Sequence, residues 1–248
     1  MRRARPLPLL LALAAGPAAA QGEYTARRDT TVDARGARRV EVEARAGSLR
    51  ITGVAGLTEV RVRGTAHASD RALLDEIRVF ARREGDVVRV RADIPDERDG
   101  RWRSWRSWRG DYSRGLDLVI EVPARIAADV DDGSGEVEIR GVGALDLRDG
   151  SGSISVEDVD SARIEDGSGE IRVRNVRGDV RVRDGSGGID ADDVRGAVIV
   201  ERDGSGGVSA RHVGGDLIVE QGRASRIDYA DVRGRVQIPE DRRARRRY

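Results

Sequence analysis

Through the second half of the chain, apolar residues recur at every second position in short runs, broken at regular intervals by glycine-rich turns. Val137, Ile139, Val142, Leu145 and Leu147 form one set, and Ile154, Val156, Val159, Ala162 and Ile164 the next. Ile171, Val173, Val176, Val180 and Val182 follow, then Ile189, Ala191, Val194, Val198 and Val200, then Val208, Ala210, Val213, Leu217 and Val219. A spacing of two with β-branched residues predicts strands rather than helices. Between the sets lies Asp-Gly-Ser-Gly, which starts at Asp132, Asp149, Asp166, Asp184 and Asp203, in steps of 17, 17, 18 and 19 residues. Self-similarity at a fixed period predicts a repeat architecture. Two short strands per period cannot bury a face alone. Stacked as parallel rungs about 4.8 Å apart, they join their apolar positions into one column. The pattern therefore predicts an all-β, single-domain parallel β-helix or β-solenoid with 17–19-residue rungs.

The polar positions support the same register. Arg140, Glu157, Arg174, Asp192 and Arg211 fall at one equivalent site, with alternating sign from rung to rung, and Arg148, Glu165, Arg183 and Glu201 do the same at a second. Opposite charges on neighbouring strands attract. A slip of one residue would bury these charges and expose the aliphatic residues. Ile199 and Ile218 point outward on neighbouring rungs and form a small apolar patch.

The first half is a less regular version of the same theme. Val40, Val42, Leu49, Ile51, Val54, Val60 and Val62 predict strands of an early rung. Ser69 opens a helical turn or two as an N-cap. Arg78–Arg83 and Val87–Ala92 flank Glu84-Gly85-Asp86 as a hairpin, and Leu116–Val122 is a strand closed by Pro123. The N-terminal part is thus irregular β structure with one short helix, and the regular rungs begin near Ala124 and run to about residue 238.

Targeting changes the charge balance. Arg2, Arg3 and Arg5 precede a short apolar run from Leu7 to Ala15, and Ala18-Ala19-Ala20 offers a small-residue cleavage site before Gln21. That pattern predicts a secretory signal peptide over residues 1–20, and the run is too short to span a bilayer. The expected product is an exported, soluble domain over 21–239, periplasmic or at the cell surface or secreted, with a basic tail at 240–248. Past residue 20, 42 Arg face 44 acids, and without the tail 37 face 42, so the body is not a polycation built for nucleic acid. The chain has no Cys and two His, His67 and His212, far apart in sequence. This removes thiolate chemistry and disulfides and argues against a His-based metal site or triad. No cofactor and no metal are expected.

Two features invite a functional reading. The Asp of each Asp-Gly-Ser-Gly turn can accept backbone N–H groups while the glycines supply positive φ, which makes Asp132, Asp149, Asp166, Asp184 and Asp203 structural turn residues. Arg-Gly-Asp occurs at Arg109–Asp111 and Arg177–Asp179, a weak motif in a chain this rich in all three residues. The stretch 96–115 breaks the rung pattern. It contains Arg101, Trp102, Arg103, Trp105, Arg106, Trp108 and Arg109, including all three Trp of the protein. Indole and guanidinium faces stack on sugars and on anionic groups. This segment is the leading candidate for ligand binding, with a cover over a solenoid face or end, or a disordered loop, as the alternatives.

The order of these parts carries a family resemblance. A signal peptide, then "RVEVEARAGSLRITGVAGLTEVRVRG", "SDRALLDEIRVFARREGDVVRVRADIP" and "LDLVIEVPARIAADVDDGSGEVEIRGV", then the Gly-Ser-Gly rungs, resemble the bacterial putative-adhesin family of exported β-strand-repeat domains, over about residues 36–238. It is also similar to the head domains of putative autotransporter adhesins, although no translocator barrel or anchor is visible. The resemblance implies envelope or surface binding without catalysis, and no defined site residues. The expected partner is an envelope glycan, lipopolysaccharide or an envelope protein. The alternatives are a periplasmic structural or signalling accessory and, less favoured, a polysaccharide-active β-helix enzyme.

Overall fold

The computed structural model describes residues 24–95, 113–223 and 226–239. The signal-peptide segment, the Trp and Arg residues from Arg101 to Arg109 and the tail from 240 onward lie outside the described residues. From the N-terminus the chain forms β1 (Tyr24–Arg27), β2 (Thr30–Asp33), β3 (Arg39–Glu43), β4 (Leu49–Val54) and β5 (Glu59–Ala68). The helix α1 (Arg71–Glu76) and the hairpin β6 (Arg78–Glu84) and β7 (Val87–Asp93) follow. The solenoid proper starts with β8 (Arg114–Pro123) and β9 (Ala127–Asp132), then β10 (Val137–Arg140) and β11 (Ala144–Asp149), then β12 (Ile154–Val159) and β13 (Ser161–Asp166). It continues with β14 (Ile171–Val176) and β15 (Val180–Asp184), β16 (Gly188–Val194) and β17 (Val198–Asp203), and β18 (Gly207–Val213) and β19 (Leu217–Val219). It closes with β20 (Ile227–Val232) and β21 (Val236–Gln237). Arg114 and Gly115 therefore belong to β8, so the break in the rung pattern ends earlier than residue 115.

The rungs stack as two facing sheets, one of eleven strands and one of ten. In the first sheet β10, β12, β14, β16, β18 and β20 pair in parallel order, and in the second β9, β11, β13, β15, β17, β19 and β21 do. Each rung gives one strand to each sheet, as the two alternating runs per period predict. The inward residues are buried without exception through the middle rungs: Ile154, Val156, Ile171, Val173, Ile189 and Ala191 from the first sheet meet Ala162, Ile164, Val180, Val182, Val198 and Val200 from the second. Each fully buried Val or Ile contributes about 1.5–3 kcal/mol before chain entropy is subtracted.

The first charge column stands in register from Arg140 through Glu157, Arg174 and Asp192 to Arg211. The second runs from Arg148 through Glu165 to Arg183, but the register shifts after Val182 and Arg183 stands opposite Arg202 rather than Glu201. The cause is the 19-residue step, whose extra residue enters β17 as a bulge. The charges still meet, with Arg183 Nε 2.6 Å from Glu201 Oε2.

The N-terminal part departs from a simple early rung. β3 lies between β7 and β9, and β4 between β8 and β10, all parallel, so the first rung is intercalated between later ones. Val60 and Val62 are not in that rung; they lie in β5, which runs antiparallel to β8 and carries β1 and β2 on its other side. The helix starts one residue later than the sequence suggests. Asp70 is its N-cap, accepting from Ala72 N at 2.7 Å. Leu73, Leu74 and Ile77 are buried, and the Arg28 guanidinium donates to Leu74 O and Ile77 O at the helix end. Glu84 pairs with Val87 across Gly85-Asp86, which makes β6 and β7 the predicted hairpin.

Candidate binding surface

Each rung turns two corners, and the corners carry the unusual chemistry. At the first, Asp132, Asp149, Asp166, Asp184 and Asp203 end successive strands of the second sheet and stack in register. The strand alternation that points Leu147 inward also points Asp149 inward, so all five side chains are buried, between 1% and 7% exposed. As the turn reading requires, Asp166 Oδ1 accepts from Ser168 N, Asp184 Oδ1 from Ser186 N and Asp203 Oδ1 from Gly206 N, at 3.0–3.2 Å. The other oxygens of Asp166 and Asp184, and both of Asp132 and Asp149, have no hydrogen-bond partner among the described residues. Burial, and then the neighbouring charge of Asp149, push Asp166 up to about 6 and raise Asp132 as well. Burial likewise raises Asp149 and Asp184. Stacked buried carboxylates cannot all carry charge. The column lies inside the molecule with one carboxyl per rung.

The second corner faces solvent. Asp158, Asn175, Asp193, His212 and Asp231 occupy its left-handed position, with φ between 50° and 56°. Asn, Asp and His tolerate this region better than other non-glycine residues. Two residues further along, Arg177, Arg195, Gly214 and Arg233 stack, their amides donating to Val159 O, Val176 O, Val194 O and Val213 O of the preceding rung. The Arg177–Asp179 motif is part of this corner: Arg177 Nη1 pairs with Asp160 Oδ1 at 2.8 Å, and Asp179 Oδ1 accepts from Ala197 N at 2.9 Å. Both charged groups are engaged in the turn. The other copy, at Arg109–Asp111, lies outside the described residues.

Around Gly214 this corner opens into a groove of about 970 Å³, flanked by Arg195 and Arg233 and lined by Asp193, His212 and Asp231. His212 Nδ1 lies 2.7 Å from Asp192 Oδ1, and its Nε2 lies 3.5 Å from Asp231 Oδ2. The hydrogen bond to Asp192 holds the imidazole above its ordinary range and Asp192 below its own. A second hollow of about 480 Å³ lies on the outer face of the second sheet, between Arg39, Asp129, Asp146 and Arg148. There Arg39 is bound to Asp129 at 2.6 Å and Arg148 lies 3.5 Å from Asp146, so its charges are mutually paired.

Of the predicted site residues, the five Asp are brought together in the buried column. Arg101, Trp102, Arg103, Trp105, Arg106, Trp108 and Arg109 lie outside the described residues, between Pro95 after β7 and Ser113 before β8. Ile199 and Ile218 are neighbours in register, half-buried on the outer face of the second sheet. The Gly214 groove is not marked by the Asp-Gly-Ser-Gly period. Its signal is a second periodic turn, Val-Arg-Gly at 176–178, 194–196 and 232–234, broken once as Val-Gly-Gly at 213–215.

No family model and no curated protein matches the chain. Among solved structures it is similar to a putative cell adhesion protein from Clostridium sporogenes, at 12% identity over 87% of this chain and 99% of the other, with a TM-score of 0.38. It is similar to a putative lipid binding protein from Parabacteroides distasonis, at 13% identity over 85% and 93%, with a TM-score of 0.41. A putative adhesin from Bacteroides fragilis is also similar, at 13% identity over 87% and 96%, with a TM-score of 0.29. Among the described residues no helix is long and apolar enough to cross a membrane.

Proposed function

We propose that this protein is an exported, adhesin-like scaffold that binds a glycan or another anionic component of the cell envelope and does no chemistry on it. The observation that carries this reading is the form of the hollow around Gly214, a groove on the solvent-facing corner that crosses successive rungs and presents Arg, His and Asp side chains. A groove across stacked rungs suits an extended ligand that repeats along its length. The sequence adds a second element, the Arg101–Arg109 segment, whose Trp and Arg side chains suit stacking on sugars and pairing with anions. Export follows from the Arg2–Ala20 pattern.

The test is retention of the purified chain from Gln21 onward on isolated peptidoglycan, lipopolysaccharide and membrane-protein fractions, beside a W102A/W105A/W108A variant. The expected outcome is retention on a glycan-bearing fraction, reduced in the Trp variant. Retention on membrane protein alone would replace this reading with a periplasmic accessory role. Cleavage of the retained polysaccharide would replace it with an enzyme.

A further inference from the structure

At the solvent-facing corner two arginines are already engaged. Arg125 Nη2 lies 2.8 Å from Asp158 Oδ1, and Arg177 Nη1 lies 2.8 Å from Asp160 Oδ1. Arg195 and Arg233 differ: both are exposed, and neither guanidinium meets a carboxylate among the described residues. They stand two rungs apart, a backbone separation of about 9.6 Å at the usual strand spacing. The rung between them has Gly214 where each neighbour has its arginine, so that position puts no side chain into the space. A Cβ at Gly214 would run into Arg195 O, so the backbone packing of the corner itself keeps this position bare.

We propose that this notch binds an acidic sugar unit, its carboxylate held between Arg195 and Arg233 and its hydroxyls donated to Asp193 and Asp231. The inference rests on the reading of the protein as a glycan-binding scaffold and gives that reading a site. The two guanidinium forks match a carboxylate in shape and charge. The exposed carboxylates of Asp193 and Asp231, one on each side of His212, accept but cannot donate hydrogen bonds when ionised, so they ask for hydroxyl groups. They also set the selectivity. The charges of Arg195 and Arg233, with that of His212 whenever it is protonated, do not exceed those of Asp192, Asp193 and Asp231, so a dense polyanion such as polyphosphate meets no net attraction. A ligand that alternates one carboxylate with several hydroxyls satisfies both kinds of group.

The measurement is titration calorimetry of the full mature chain with tri-galacturonate at low ionic strength, where screening is weak, with polyphosphate and neutral dextran as comparisons. The structure predicts binding of tri-galacturonate in preference to both. Affinity should fall at least tenfold in R195Q/R233Q and stay within twofold in R177Q, whose guanidinium is already paired. All three arginines are exposed corner residues, and unchanged circular-dichroism melts will establish that the variants fold. Wild-type protein that ignores tri-galacturonate, or an R195Q/R233Q variant that binds it as well as wild type does, overturns the proposal. Envelope retention of the wild type separates the two levels. If it persists while the notch variant binds unchanged, the site is wrong and the scaffold reading stands. If it is absent from every fraction, the scaffold reading fails first.

Discussion

At the scale of single residues, the buried Asp column is the most consequential feature, because its free energy depends on pH in a direction opposite to the usual carboxylate. Asp166 titrates at about 6 in the folded chain, against about 3.9 when unfolded. The folded state therefore holds the proton more tightly. The stability this contributes is fully present below the unfolded value and is lost as pH rises through about 6. The raised values of Asp132, Asp149 and Asp184 act in the same sense. Asp166→Asn keeps an oxygen for Ser168 N and places an amide donor beside the carboxylates stacked above and below it. In urea melts at pH 5 and pH 8, wild type should lose stability at the higher pH, and D166N should lose less of it. An identical pH dependence in both proteins would mean that the column is ionised and solvated. Glycine offers a second contrast. Gly152 has φ near +142°, and a Cβ there would fall on the Gly135 carbonyl oxygen of the preceding rung, whereas Gly56, at φ +75°, has open space around it. Gly152→Ala should cost on the order of 3 kcal/mol or prevent folding, and Gly56→Ala about 1 kcal/mol, the left-handed penalty alone. Paired denaturation curves decide between them.

At the scale of the element, the unit is the rung, and each rung is held mainly by its two neighbours. Ile171 is fully buried and pairs in register with Ile154 and Ile189, while Ile227 has only Val208 on one side. Truncating Ile171 to Ala should cost about 2–5 kcal/mol, and the same change at Ile227 distinctly less, since its rung has a neighbour on one side only. Equal losses in thermal melts would argue against nearest-neighbour stacking as the source of stability. The same logic explains what the sequence could and could not tell. The register of β12 to β18 is legible because period-two aliphatics, alternating outward charges and the Asp-Gly-Ser-Gly turns all agree. The intercalation of β3 and β4 is not legible, because every rung presents the same Val and Ile columns and any rung could stack on any other. The β17 bulge shows in the sequence only as a longer step, which does not say where the extra residue enters. Of the site, the Val-Arg-Gly turns and their break at Gly214 are as periodic as anything in the chain. That Arg177 is paired with Asp160 while Arg195 and Arg233 have no carboxylate partner among the described residues depends on corner geometry that no spacing encodes.

At the scale of the whole molecule, the two ends of the stack are finished differently, and this predicts where it opens. At the N-terminal end α1, β1, β2 and the hairpin β6–β7 cover the first rungs, with Leu73, Leu74 and Ile77 packed beneath and Arg28 tying the helix end to β5's neighbourhood through Leu74 O and Ile77 O. At the other end Tyr229 stands at the register position of buried Ala210 yet is half exposed, and β21 has only two residues. A linear stack with one covered end frays from the other, because opening a terminal rung breaks one interface while opening a middle rung breaks two. Amide exchange should therefore be slowest in β12 to β16 and grow steadily faster through β18 to β20. Arg28→Ala should raise exchange in α1 and β1 without changing β18 to β20. Uniform protection that collapses in one step along the entire chain would show that the rungs open together. The groove at Gly214 would then sit on a rigid body, rather than on the part of the stack that opens first.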